Sequence, residues 1–165
     1  MARARAIDGL GAEEPYAAAA AKIVAVRSRE VADHSEGVLD LDEIEHVHDM
    51  RVATRRLRAA LEVFEPCFPP EQFAEALAEV KAIADALGER RDRDVTISAL
   101  DRFGESLASP DRRGVASLLE RLAAEQAQAN AELEEFVSAG RLAALSELLS
   151  ELVIEAEALA AGAVR

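Results

Sequence analysis

Tryptophan is absent from this 165-residue chain, and aromatic residues make up only 4% of it. Strands draw heavily on aromatic and β-branched residues, so this scarcity, in a chain half apolar and rich in alanine, argues against sheets and for close-packed helices. There is one cysteine, Cys67, which excludes an intramolecular disulfide. Arginines in Met1–Leu10 are followed by no apolar segment of the kind an export signal needs, so the protein is expected in the cytoplasm. No apolar run approaches the roughly 20 residues that span a bilayer, and no membrane partner is expected. A Walker-type glycine loop and a G-x-G-x-x-G element are both missing, which removes the common nucleotide-binding frameworks. No useful β-type alternation and no repeat at a fixed period is present.

Basic charge is also in deficit. The net charge is −13, which argues against a general nucleic-acid coat. Locally the balance reverses. His46 to Arg58 contains four arginines and one acid, Asp49, a net of +3 before the histidines count. Glu105 to Arg165 contains five basic and eleven acidic residues, a net of −6. Screening at physiological salt acts over about 8 Å, so remote acids weaken a local basic site without cancelling it.

The pattern predicts an all-α fold: an up-down antiparallel bundle of four to five helices. Residues 1–13 read as a flexible tail and 14–165 as one helical-bundle domain. A first helix is predicted over Glu14–His34, with Tyr16, Ala20, Ile23, Val24 and Val31 as a thin apolar stripe and Gly37 as its stop. The second should start near Asp40, which with Glu43 resembles a capping box. Met50, Thr54, Leu57, Leu61 and Phe64 form its inner face up to Pro66. A third helix should open at Pro69-Pro70 and reach about Leu100 through Gly88. Ser109-Pro110-Asp111 reads as the cap of a fourth helix ending near Val137. Ser138-Ala139-Gly140 is either a break or a bend. Beyond it Leu142, Leu145, Leu149, Leu152, Ala156 and Leu159 form a seam, predicted to be buried in its own bundle in preference to a dimer contact.

The second helix carries the chemistry. Taking His48 as zero, Arg51, Arg55 and Arg58 fall at about 300°, 340° and 280°, beside the apolar face, while Arg56 points elsewhere. Like charges at this spacing repel by roughly 0.2–0.5 kcal/mol per pair. The stripe therefore asks for anions, and the guanidinium fork suits phosphate oxygens. The alternative is structural: the same arginines pairing with Asp85, Asp92 or Asp94 of the third helix. From the stripe alone the two readings stand about even.

His48-Asp-Met-Arg51-Val-Ala-Thr-Arg55-Arg56-Leu-Arg58 resembles the signature helix of the CHAD family of histidine-bearing α-helical domains. Leu87-Gly88-Glu89-Arg90-Arg91-Asp92-Arg93-Asp94-Val95 is similar to that family's Leu-Gly-x-x-Arg-Asp-x-Asp-Val element. The resemblance spans about Glu14 to Leu159 and implies non-catalytic binding of inorganic polyphosphate, with polyphosphate granules as a location. Carried over by position, the binding residues would be His48, Arg51, Arg55 and Arg58, with Lys22, Lys81 and Arg91. Asp92 would orient arginines. The family typically has two bundles around a basic groove, whereas this chain has one such helix. The resemblance then implies either a homodimer completing the two-bundle groove or a half-domain that binds more weakly.

Other chemistries find little footing. His46 and His48 are about 200° apart on a helix, so they face away from each other and suggest no metal site. Phosphotransfer through His48 would need a phosphate donor and a pocket for it. Cys67 lacks an activating base, and paired glutamates such as Glu134-Glu135 read as solvated helix faces. No enzyme activity and no cofactor are expected. Nucleic acid through the same stripe is disfavoured by the acidic remainder and the scarce aromatics that would stack on bases.

Overall fold

A computed structural model describes residues 3–163, with the side chains of Ser109 and Ala163 left undescribed. It contains five α-helices: α1 (Tyr16–Asp33), α2 (Glu45–Val63), α3 (Pro70–Glu105), α4 (Ser109–Val137) and α5 (Ala139–Ala163), with a 3₁₀ turn at Glu65–Cys67 after α2. No strand occurs among the described residues. The all-α bundle is as the sequence predicts. No helix is long and apolar enough to cross a membrane among the described residues.

The path has four legs, not five. α1 packs on α2 and α5, α2 on α3, and α3 on α4. Tyr16 at the start of α1 donates its hydroxyl to the Val63 carbonyl at the end of α2, 2.6 Å away. α3 pairs with α4 through Asp94 and Gln126, and further back with α5 through Glu79 and Arg141. α5 therefore continues in the direction of α4. A single extended residue, Ser138 (ψ 144°), separates them. It shifts the chain from the face of α3 onto α1 without reversing it.

The core explains these contacts. Ala17, Ala20, Ala21 and Val24 of α1 are buried, and such small side chains let helices approach closely. They meet Val47, Met50, Leu57 and Leu61 of α2, Phe73, Val80, Ile83 and Leu87 of α3, and Leu145, Leu149, Leu152 and Ala156 of α5. The α5 seam is thus spent inside its own bundle, except Leu159, which is exposed. Tyr16, expected on the inner stripe of α1, is also exposed, its ring tilted at 45° to that of Phe64 with the centroids 4.8 Å apart.

Three expected boundaries move. α2 starts at Glu45, not near Asp40, because the Asp40 carboxylate accepts the Asp42 N–H (2.9 Å) and caps a turn. α3 runs five residues past Leu100, to Glu105. α4 takes Ala108, not Ser109, as its N-cap. The link between α1 and α2 turns at Gly37, whose φ of +73° favours glycine. The His46 ring packs into the space a Cβ there would need, and its Nδ1 lies 3.0 Å from the Gly37 carbonyl. Residues 3–13 form no helix. They run along α1, where the Arg5 N–H donates to Glu30 and Lys22 donates to the Gly9 carbonyl.

Candidate functional site

α2 and α3 lie antiparallel, and the cations gather along the groove between them. Met50, Ala53, Leu57, Ala60 and Leu61 anchor α2 inward, and Thr54 returns its hydroxyl to the Met50 carbonyl (2.8 Å). That burial fixes the rotation of the helix. It leaves Arg55 exposed and His48, Arg51 and Arg58 half-buried on the neighbouring flank, the arrangement that the 3.6-residue period predicts.

Three levels of the groove can be read from its contacts. At one end the Arg58 Nε donates to Glu62 (2.9 Å), and the Lys81 Nζ of α3 lies 3.9 Å from the same carboxylate oxygen. In the middle Arg51 lies over Gly88, its Nε 3.9 Å from where a Cβ on that glycine would stand. At the other end Arg91 of α3 donates to the Ile44 carbonyl (3.2 Å) and pairs with Glu45 at 3.5 Å. Lys81 to Arg91 spans ten residues of α3, roughly 15 Å.

The acids are placed differently from the structural alternative. Arg51 and Arg55 have no carboxylate within ion-pairing distance among the described residues. Asp85 and Asp92 form no ion pair with them. Asp94 is buried against Arg90. Arg58 is held by Glu62 of its own helix, a pairing legible in the i, i+4 spacing.

Lys22 stands apart from this groove. It binds the Gly9 carbonyl at 2.8 Å and pairs with Glu14, in a recess of about 430 Å³ shared with Arg29 of α1 and Glu157 of α5. None of the α2 arginines lines that recess. The structure thus groups His48, Arg51, Arg55, Arg58, Lys81 and Arg91 along α2 and α3 and leaves Lys22 elsewhere.

A buried polar node behind the groove holds the link between α1 and α2. Arg90 and Asp94, one turn apart on α3, are fully enclosed and bonded to each other. Arg90 also donates to Asn130 of α4 (3.2 Å), Asn130 donates to the Leu39 carbonyl (2.9 Å), and Gln126 donates to Asp94 (2.7 Å). Burial lowers the pKa of the Arg90 guanidinium, helped by the neighbouring charge of Arg91. Asp92 is exposed, and it is Asp94, the second aspartate of the same element, that is bonded to an arginine, Arg90.

His46 and His48 part as their spacing predicts, with buried Val47 between them. A different trio converges: Glu45, His48 and Asp49 bring ligand atoms within 4.8 Å of one another. These are the described residues that could hold a metal ion, although Glu45 is engaged with Arg91. Cys67 is buried, and desolvation raises its thiol pKa, which opposes a nucleophilic role.

These features define an all-helical protein with a cationic groove between two antiparallel helices. The family model described as CHAD domain matches residues 22–165. The chain belongs to the CHAD family. A search of the curated proteins found no match.

Proposed function

We propose that the chain binds inorganic polyphosphate, without transforming it, in the groove between α2 and α3. The observation that carries this reading is the pair Arg51 and Arg55, which project from a rigid helix with no acid to neutralise them among the described residues. Arg58 and Lys81 at one end and Arg91 at the other extend the cationic track, each shared with a glutamate that a phosphate can replace. Guanidinium groups in a row suit a chain of repeating phosphates. Membership of a family associated with polyphosphate supports the same ligand. A cytoplasmic protein with this ligand would meet it at polyphosphate granules.

Calorimetric titration of long-chain polyphosphate into the full chain at two salt concentrations tests the assignment. Binding should saturate and weaken steeply with salt, and the Arg51→Ala/Arg55→Ala/Arg58→Ala variant should lose it. A folded triple variant that binds normally would sink the groove. Short nucleic acid should displace polyphosphate poorly.

A further inference from the structure

A fissure opens between α3 and α5, on a different flank of α3 from the cationic groove. At Ser138 the chain shifts from α3 onto α1, so α5 packs far more on α1 than on α3. The space left between them has a volume of about 560 Å³, and Ala78, Ala82, Ala144, Leu145 and Leu148 make most of its wall apolar. It takes in two turns of each helix, about 10 Å. Arg141 crosses it at one end, where the guanidinium donates to the Glu79 carboxylate (3.0 Å) and lies 4.4 Å over the Phe136 ring.

Charge indicates what can fill this space. Residues 70–80 and 142–155, which form the two walls, contain six acids and no lysine or arginine. Glu75 and Glu79 line the fissure itself. Glu71, Glu151 and Glu155 are exposed on the same flanks a turn or two beyond it. The cations that adjoin these stretches in sequence are engaged, Arg141 with Glu79 and Lys81 with Glu62 of α2. Other clefts are different in kind. The recess on α1 presents Lys22 and Arg29, and the cleft between α3 and α4 presents Arg93 and Arg121.

We infer that the fissure seats a basic amphipathic helix of a partner protein. Its apolar residues lie against Leu148 and the alanines, and its lysines or arginines stand over Glu71, Glu75 and Glu151. A furrow between two helices is the shape a third helix fills. The small side chains of Ala78, Ala82 and Ala144 leave room for that helix to come close. An acidic segment would be repelled from these walls, and a neutral one would leave them unmatched. The inference does not depend on which anion fills the α2–α3 groove.

A fluorescent helical peptide with leucines on one face and lysines on the other tests it, by anisotropy titration of the full chain and hydrogen exchange on the mixture. Binding should saturate at one peptide per chain, and exchange should slow in 70–82 and 141–152. A peptide of the same composition in scrambled order should bind at least roughly tenfold more weakly. The Ala78→Arg/Ala144→Arg variant, changed only at exposed positions, should lose binding and keep its helical spectrum. Absence of saturable binding overturns the inference. Equal affinity for the scrambled peptide also overturns it, by reducing the attraction to net charge. So does a folded variant that binds normally, or slowed exchange confined to another region.

Discussion

Arg51 rests on Gly88: the glycine leaves the bed on α3 over which the guanidinium extends, and a Cβ there would stand 3.9 Å from Nε. That separation is ordinary van der Waals contact. Gly88→Ala should therefore raise stability by about 1 kcal/mol, the helix-propensity gain, and leave polyphosphate affinity unchanged. Gly88→Leu should fill the bed, displace Arg51 and weaken binding. Thermal melts and titrations on the two variants separate these effects.

Glu62 competes with the ligand for two cations, since Arg58 and Lys81 share its carboxylate. Exposed pairs of this kind contribute about 0–1 kcal/mol. Glu62→Gln should cost little stability and should tighten polyphosphate binding, by up to roughly fivefold. Unchanged affinity would place the ligand away from this end of the groove.

Arg90 and Asp94 are enclosed together, and removing either strands the other. Asp94→Ala should cost about 3–5 kcal/mol, read as a large drop in denaturation midpoint. The double variant Arg90→Met/Asp94→Leu should be markedly less damaged, because no lone charge remains. Since Asn130 ties the same node to the Leu39 carbonyl, amide exchange in residues 35–44 should rise in Asp94→Ala.

Glu30 sets a pH dependence. Burial works to raise its carboxyl pKa, but the Arg5 backbone N–H, the Arg27 guanidinium and the charges of Arg27 and Arg56 outweigh it and hold the value below normal. A group whose pKa is depressed by folding stabilises the fold above its unfolded value, and that contribution is lost as pH falls through the folded one. The melting temperature should fall on acidification through that window. Glu30→Gln should melt lower at neutral pH and respond less to acid.

Gly37 holds φ +73° with the His46 ring 2.5 Å from the position of a Cβ. Gly37→Ala should cost about 2 kcal/mol through backbone strain and displacement of that ring. His46→Ala should relieve part of the penalty in a double-mutant cycle.

The sequence displayed its helices well because their apolar periodicity is strong, and the seam of α5 and the inner face of α2 lie where that period puts them. The flank carrying His48, Arg51, Arg55 and Arg58 followed from the same rotation. Capping was less legible. Asp40 has the chemistry of an N-cap, but its carboxylate is used within the turn before α2, a choice that depends on the path of residues 35–44. That path is fixed by Arg90 and Asn130 from distant helices. Arg90 and Asp94 look like any exposed i, i+4 pair on paper, and only the docking of α4 and the 35–44 segment encloses them. Lys22 had the right charge for a ligand site, yet α1 turns it towards Gly9 and Glu14.

Ser138 decides the polarity of the whole molecule. Had it reversed the chain, α5 would have been a fifth leg. Because it only redirects the chain, the bundle has an even number of legs, and Lys22 near the start of α1 shares a recess with Glu157 near the end of α5. The first and last helices therefore begin and finish at one pole, with the α3–α4 tip at the other and the cationic groove between them. A domain fused after α5 would sit at the first pole, far from the α3–α4 tip, whereas the segment before α1 runs back along that helix and brings Arg5 beside Glu30 and Asp33, towards the other pole.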